Sequence, residues 1–321
     1  MRTENPSDLV YDDYSTAEMN ILFSKAFFAE YSNYLSNPLY LAGESYAGIY
    51  VPYLAYLMDL HNSDSDSDDF KFNLKGYMVG NGVTDFSVDN YSAIEYYENH
   101  AVLSPSFSSR IKEHHCRIIG PGKKSYQKNK MNQTLRVEGR DPYCFLLETE
   151  LYTSIANLNL YNLIEDCSLP HSGCVDDTVL INYLNRDDVK AALHVEEFIG
   201  QWSECSDPIF EFYRWNLPGS IQVYPHMMEE GYKILKYSGD ADSMVPFNGS
   251  VEWIAKLNLD VLEPWRQWFI SSDPNQPAGY IEVYDGMTFA TVRNAGHLVP
   301  QTKGAQLNHL IKSFIQDEAI Q

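Results

Sequence analysis

The segment that most constrains this chain is Leu39-Tyr40-Leu41-Ala42-Gly43-Glu44-Ser45-Tyr46-Ala47-Gly48, a short apolar run after Pro38 that ends in glycine and leads straight into a second apolar stretch with helical spacing. This succession reads as strand, sharp turn and helix. A serine at such a turn is held on the tight corner that an exposed nucleophile requires. The strict pattern has glycine two residues after the serine, whereas Ala47 stands there and Gly48 follows. A small residue at that point still lets the helix pass close to the strand. On spacing alone, a serine capping a helix after a glycine turn is the favoured reading, and context has to overturn it.

Two further segments supply context. Tyr237-Ser238-Gly239-Asp240-Ala241-Asp242-Ser243-Met244-Val245-Pro246 puts acids at the end of an apparent strand, and Asn294-Ala295-Gly296-His297-Leu298-Val299-Pro300 puts a histidine just after another. A single loop Asp or His is usually a turn or surface residue. A serine, an acid and a histidine at strand ends, in that chain order, form the set that nucleophilic acyl transfer uses. Metal chemistry is not called for: the acidic run His61 to Asp69 lacks the glycine and closing glutamate of a calcium loop and reads as a solvated loop.

Strands are expected at Phe72–Gly80, Ile234–Gly239 and Met287–Asn294. Ser15-Thr16-Ala17-Glu18 has capping-box spacing, and Met19, Leu22, Phe23, Ala26 and Phe27 follow at helical intervals, which predicts an amphipathic helix over about residues 16–32. Between about residues 88 and 175 the pattern loosens into Tyr-, Ser- and Lys-rich stretches that hold four of the five cysteines, as an insertion upon an α/β core would. With 23 Lys and Arg against 44 Asp and Glu, a net charge of −21 leaves no basic surface to track phosphates, so nucleic acid is excluded as a partner. Charge-free stretches such as Ser45 to Met58 are too short and too interrupted for a membrane span.

The cysteines, Cys116, Cys144, Cys167, Cys174 and Cys205, are odd in number, so one lacks an intrachain partner. Sequons at Asn90, Asn132 and Asn248 are glycosylation candidates and, with the clustered cysteines, point to a secretory compartment; Asn5 is excluded by Pro6. The first residues nevertheless carry no apolar signal core.

Gly43-Glu44-Ser45-Tyr46-Ala47-Gly48-Ile49-Tyr50-Val51-Pro52, with Gly80-Asn81-Gly82, Gly239-Asp240-Ala241-Asp242 and Ala295-Gly296-His297-Leu298-Val299-Pro300, resembles the serine carboxypeptidase family over nearly the whole chain. Tyr183-Leu184-Asn185 with Val189, Ala192, Leu193 and His194 resembles that family's segment after its insertion. The resemblance implies an α/β-hydrolase fold, a mostly parallel sheet flanked by helices, with residues 1–87 and 175–321 as core and 88–174 as a helical, disulfide-bearing cap. It implies a serine-type carboxypeptidase of the lysosome, vacuole or extracellular space, acting on peptide or protein C-termini without a cofactor, and it is compatible with a homodimer. Two other readings stay open: an acyltransferase that passes the acyl group to an alcohol, and a non-catalytic relative that binds or protects a partner.

Carried over by the resemblance, Ser45 is the nucleophile, His297 the general base and Asp242 its orienting acid, with Asp240 as the rival for that last role. The Tyr46 backbone N–H becomes an oxyanion donor. Glu44 joins the set that holds the substrate's terminal carboxylate, which requires a protonated carboxyl and therefore favours acidic pH. Family analogy pairs Cys167 with Cys174 and leaves Cys116 with Cys144 by elimination. It leaves Cys205 unpaired, because its family partner sits in a glycine-rich Asn-Gly-Gly-Pro-Gly-Cys-like loop that has no equivalent here. That loop also supplies the second oxyanion donor and the residues that complete the carboxylate set. By comparison with the family the chain reads as N-terminally shortened, lacking the signal peptide and first strands, which predicts an exposed sheet edge, an uncovered apolar surface and a chain that is marginal or aggregation-prone.

Overall fold

The computed structural model describes residues 10–65, 69–116, 142–167, 174, 176–206, 209 and 213–320. Its six strands are β1 (Leu39–Glu44), β2 (Leu74–Gly80), β3 (Lys233–Gly239), β4 (Val261–Trp268), β5 (Gly279–Tyr284) and β6 (Met287–Val292). They form one sheet in the order β1-β2-β3-β6-β5-β4. The β1-β2-β3-β6 portion is parallel, and β5 and β4 extend it antiparallel. The helices are α1 (Asp13–Glu30), α2 (Ala47–Ser63), α3 (Phe86–Asn99), α4 (Pro105–Glu113), α5 (Pro142–Ile155), α6 (Thr178–Leu184), α7 (Asp187–Ala192), α8 (Tyr224–Glu229), α9 (Phe247–Lys256) and α10 (Val299–Gln316).

Parallel strands covered on both faces need apolar side chains on both, which is why Tyr77, Met78 and Val79 of β2 and Ile234 and Leu235 of β3 are apolar in succession rather than alternating with polar residues. On one face Val79, Ile234 and Phe289 pack with Met58 and Trp253; on the other Leu235, Ala290 and Val292 pack with Leu307, Leu310 and Phe314 of α10. The expected strands are present within one or two residues of their predicted ends. β4 and β5 lie outside those expectations: β4 carries Pro264 and is mostly exposed, and proline is tolerated there because β4 is the sheet's last strand.

The first helix departs from its predicted start. Asp12, not Ser15, is its cap: Asp12 Oδ1 accepts from the Ser15 N–H at 2.8 Å while Ser15 Oγ accepts from the Asp12 N–H at 2.9 Å. The buried face runs through Asp13, Ala17, Ser24 and Phe28, so the stripe of Met19, Leu22 and Phe23 is exposed instead, at 52%, 58% and 71%. β1, which bears the elbow, is the opposite edge strand. The predicted acidic loop also starts later than expected, because α2 runs on through His61, Asn62 and Ser63; Asn62 is fixed there by reciprocal 2.8 Å bonds with the backbone of Phe72. Asp66 to Asp68 lie outside the described residues.

Disulfides join Cys116 to Cys144 and Cys167 to Cys174, and Cys205 is an exposed free thiol. Cys116 and Cys144 sit in a cluster of their own with Ile94, Tyr97, Phe107, Ile111, Leu147 and Leu151, drawn from α3, α4 and α5. Asn90 and Asn248 lie inside helices with their amides turned inward, Asn248 Nδ2 donating to Ser92 O at 2.9 Å and both Oδ1 atoms buried. That geometry disfavours both as glycan acceptors; Asn132 lies outside the described residues. Among the described residues no helix is long and apolar enough to cross a membrane.

Candidate active site

Ser45 follows β1 with φ at +61°, a left-handed conformation that a non-glycine residue adopts at a cost of about 1–2 kcal/mol. Three backbone bonds hold it there: its N–H donates to Gly80 O at 3.1 Å, and its C=O accepts from Gly48 N–H and Val83 N–H, each at 3.0 Å. The glycines around it are dictated by contact. A Cβ on Gly48 would stand 2.1 Å from Val83 O, and one on Gly43 would stand 2.4 Å from the Ala47 Cβ. Ala47 therefore fills the place of the pattern's second glycine because Gly43 leaves room for its methyl group.

The other candidate groups come to the same edge. Ser45 follows β1, Asn81 follows β2, Asp240 and Asp242 follow β3, and His297 follows β6, all at the carboxyl ends of parallel strands, where open α/β sheets place their sites. Asp242 is wholly buried and His297 is 4% exposed. Asp242 Oδ2 lies 2.8 Å from His297 Nδ1. The carboxylate also accepts from Met244 N–H at 2.8 Å, Val245 N–H at 3.2 Å and Asn81 Nδ2 at 2.8 Å. With Nδ1 donating to Asp242, the proton-accepting nitrogen of the neutral ring is Nε2. Ser45 Oγ makes no hydrogen bond among the described residues; such contacts tighten when substrate binds.

Asp240, the rival acid, is engaged elsewhere: its Oδ1 accepts from Asn294 N–H at 2.6 Å and its C=O from the Tyr96 hydroxyl at 2.5 Å. It ties the β3 loop to the β6 loop. His297 is held by its own backbone as well, donating to Tyr161 O at 2.6 Å, with the Tyr161 ring 5.4 Å from the imidazole. Burial disfavours the charged imidazolium, yet the Asp242 charge and hydrogen bond, with the charge of Glu44, outweigh it and raise His297 above its usual value. Glu44 is also raised, chiefly by burial, with His297 pulling it down and Asp242 pushing it up. Partial burial, with the like charge of Asp242 added to it, thus favours the protonated form of the Glu44 carboxyl.

Tyr46, whose N–H is the candidate oxyanion donor, directly precedes α2. Its hydroxyl donates to Asp13 Oδ1 at 2.7 Å, and its ring is enclosed by Tyr50, Phe86, Tyr213 and Trp215. Burial first, and the Asp13 bond next, push the Tyr46 phenol far above its ordinary value, so it stays a donor. Asp13 also accepts from the Tyr213 hydroxyl at 2.8 Å and from Asn216 N–H and Leu217 N–H at 2.9 Å each. Neither Asp13 nor the role of Asn81 was anticipated from the sequence. The only signal for Asn81 was its place in Gly80-Asn81-Gly82, directly after a strand.

Among solved structures, that of Kex1(Δ)p, a prohormone-processing carboxypeptidase from Saccharomyces cerevisiae, superposes with a TM-score of 0.76 at 21% identity, covering 98% of this chain and 69% of that one. The likeness is one of fold. Serine carboxypeptidase-like 33 of Arabidopsis thaliana is 32% identical over 343 residues, spanning 99% of this chain and 69% of that relative. Serine carboxypeptidase 24 of the same plant is 31% identical over 327 residues, spanning 98% and 69%. The profile of the serine carboxypeptidases matches residues 2–317. With a match of that extent on an α/β-hydrolase sheet whose strand ends converge on Ser45, Asp242 and His297, the chain belongs to the serine carboxypeptidase family.

Proposed function

We propose that this chain is a serine-type carboxypeptidase that removes C-terminal amino acids from peptides through an acyl-enzyme on Ser45. The observation that carries the reading is the buried 2.8 Å contact between Asp242 and His297 at the sheet edge where Ser45 sits on its strained corner. Ser45 Oγ attacks the last peptide carbonyl carbon as its proton passes to His297 Nε2, and Asp242 steadies the imidazolium. The oxyanion faces the Tyr46 N–H. When the C–N bond breaks, the leaving amine takes the proton from His297. Water then repeats the sequence on the ester, releasing the shortened peptide and free Ser45.

Glu44 in its protonated form donates to the substrate's terminal carboxylate, which confines efficient peptide cleavage to acidic pH. We also propose a cap of residues 88–174 on a core of 1–87 and 175–321; among the described residues, the separate cluster around Cys116 and Cys144 supports a cap, while Val88 at its start packs with the core cluster. Two disulfides support a vacuolar, lysosomal or secreted setting. The test is mass-spectrometric detection of the C-terminal residue released from peptides with free or amidated C-termini, by the chain and by Ser45→Ala. Release favouring free C-termini and lost in the variant is expected. A folded chain that releases nothing, or that turns over only when an alcohol acceptor is added, overturns the hydrolase reading.

A further inference from the structure

Lys236 sits in the middle of β3, paired in register with Val79 of β2 and Phe289 of β6, and is completely buried. It shares its face of the sheet with Ile234 and comes within 6.0 Å of the Trp253 ring, surroundings in which an aliphatic side chain would pack without penalty. An ammonium placed there needs partners. It has one in Gly82 O, to which Nζ donates at 2.7 Å, and a facing charge in Asp89 on α3. Asp89 Oδ2 in turn accepts from Thr84 N–H at 2.7 Å and Asp85 N–H at 3.0 Å. The two side chains therefore grip successive peptide groups of a single turn, residues 81–85.

That turn touches both halves of the candidate triad. Val83 N–H donates to Ser45 O, and Val83 O is the surface against which Gly48 is seated. Asn81 donates to the Asp242 oxygen that faces His297. We propose that Lys236, in concert with Asp89, is a positioning residue that fixes the 81–85 turn against the Ser45 corner and the Asp242 carboxylate. The role rests on the carboxypeptidase reading of the site, and deepens it.

The ammonium also acts at a distance. Burial lowers Lys236, and Asp89 and Asp242 hold it up. His297 is faced by Asp242 and Glu44, which favour its charged form, and by Lys236, which opposes it. Loss of this cation therefore raises His297 and moves the acid limb of reactivity to higher pH.

The experiment uses the full chain with Lys236→Met, and with Lys236→Met/Asp89→Asn so that no carboxylate is left facing an empty place. The readouts are peptide kcat and KM and the pH profile of Ser45 labelling by a fluorophosphonate. The expected result in both variants is kcat and labelling rate about 10-fold or more below the parent with KM within about two-fold, and in Lys236→Met, which removes the cation and keeps the Asp89 carboxylate, an acid limb displaced upward. A double variant with native far-ultraviolet dichroism that labels at the parent rate with the parent profile overturns the proposal. So does a loss of kcat in Lys236→Met with an unmoved acid limb, which a merely structural lysine would give. If Lys236→Met alone does not fold, the double variant decides. A parent chain that labels at Ser45 but releases no amino acid refutes the carboxypeptidase reading while leaving the labelling comparison in force.

Discussion

Asn81 Nδ2 stands 2.8 Å from Asp242 Oδ2, the same oxygen that faces His297 Nδ1. Asn81 Oδ1 accepts from Gly239 N–H at 3.0 Å, so one side chain bridges the ends of β2 and β3 and aims the acid. Its φ of +38° is a conformation that asparagine tolerates and glycine adopts freely. Asn81→Gly therefore removes the side-chain bonds without backbone strain. A lost hydrogen bond to a buried carboxylate is worth about 1.5–3 kcal/mol, so kcat should fall about 10-fold or more while KM changes little. Steady-state kinetics on a peptide substrate check this, and an unchanged kcat would show that the backbone N–H groups of Met244 and Val245 suffice to aim Asp242.

Gly48 is a second point of close approach. A methyl group there would meet Val83 O at 2.1 Å, a clash of Cβ with backbone that no rotamer relieves. Gly48→Ala should lower stability by about 2 kcal/mol or more in urea unfolding and abolish fluorophosphonate labelling. Ala47→Gly, which creates the strict G-x-S-x-G pattern, should cost only about 1 kcal/mol of helix propensity and leave labelling intact. Equal effects from the two substitutions would argue against the contact as the cause.

Asp13 tests the support beneath the oxyanion donor. Its carboxylate accepts from two tyrosine hydroxyls and two backbone N–H groups, among them the Tyr46 hydroxyl at 2.7 Å. Asp13→Ala removes the shared acceptor of all four donors, leaving Tyr213 its 3.4 Å contact with Thr16 Oγ1, and should destabilise the chain by about 3 kcal/mol or more, with kcat falling more than KM rises. Asp13→Asn keeps the acceptor oxygen and should recover a good part of both. If Asp13→Ala lowers the melting temperature without touching kcat, Tyr46 is held well enough by its ring contacts alone.

How much of this was legible in the sequence follows from the range of each interaction. The Ser45 corner was readable because it is local: strand, glycine, serine, small residue and helix occupy ten consecutive positions. Asp242 and His297 were readable through order and strand-end context, although only geometry separates Asp242 from Asp240. Asp13 binds partners 203 and 204 residues away, and Asn81 reaches Asp242 across 161, so nothing in their flanking residues announces them. Lys236 was invisible for another reason: a lysine within an apolar strand run reads as an edge or surface residue, and only the sheet order places it at the centre. The error at α1 has the same origin, since the face a helix buries is chosen by the neighbour it meets and not by its own apolar count.

The pH dependence separates the two titrating groups. Labelling by a fluorophosphonate requires neutral His297, whose raised value means that the base is lost as pH falls through a range above the ordinary imidazole. Labelling should therefore climb with pH and level off. Peptide cleavage carries the same requirement and adds a second one, a protonated Glu44, which its burial keeps available to higher pH than an exposed glutamate but which is lost as pH rises. The product of the two fractions has a maximum and falls on both sides, so peptidase activity should peak at a pH below the labelling plateau. Glu44→Gln cannot ionise: it should remove the alkaline fall for peptides and bring the two profiles together. The same substitution removes a negative charge that favours the imidazolium, so its acid limb should shift towards lower pH in both assays. Coincident profiles for the parent chain, or a variant that retains the alkaline fall, would place the terminal-carboxylate contact on some group other than Glu44.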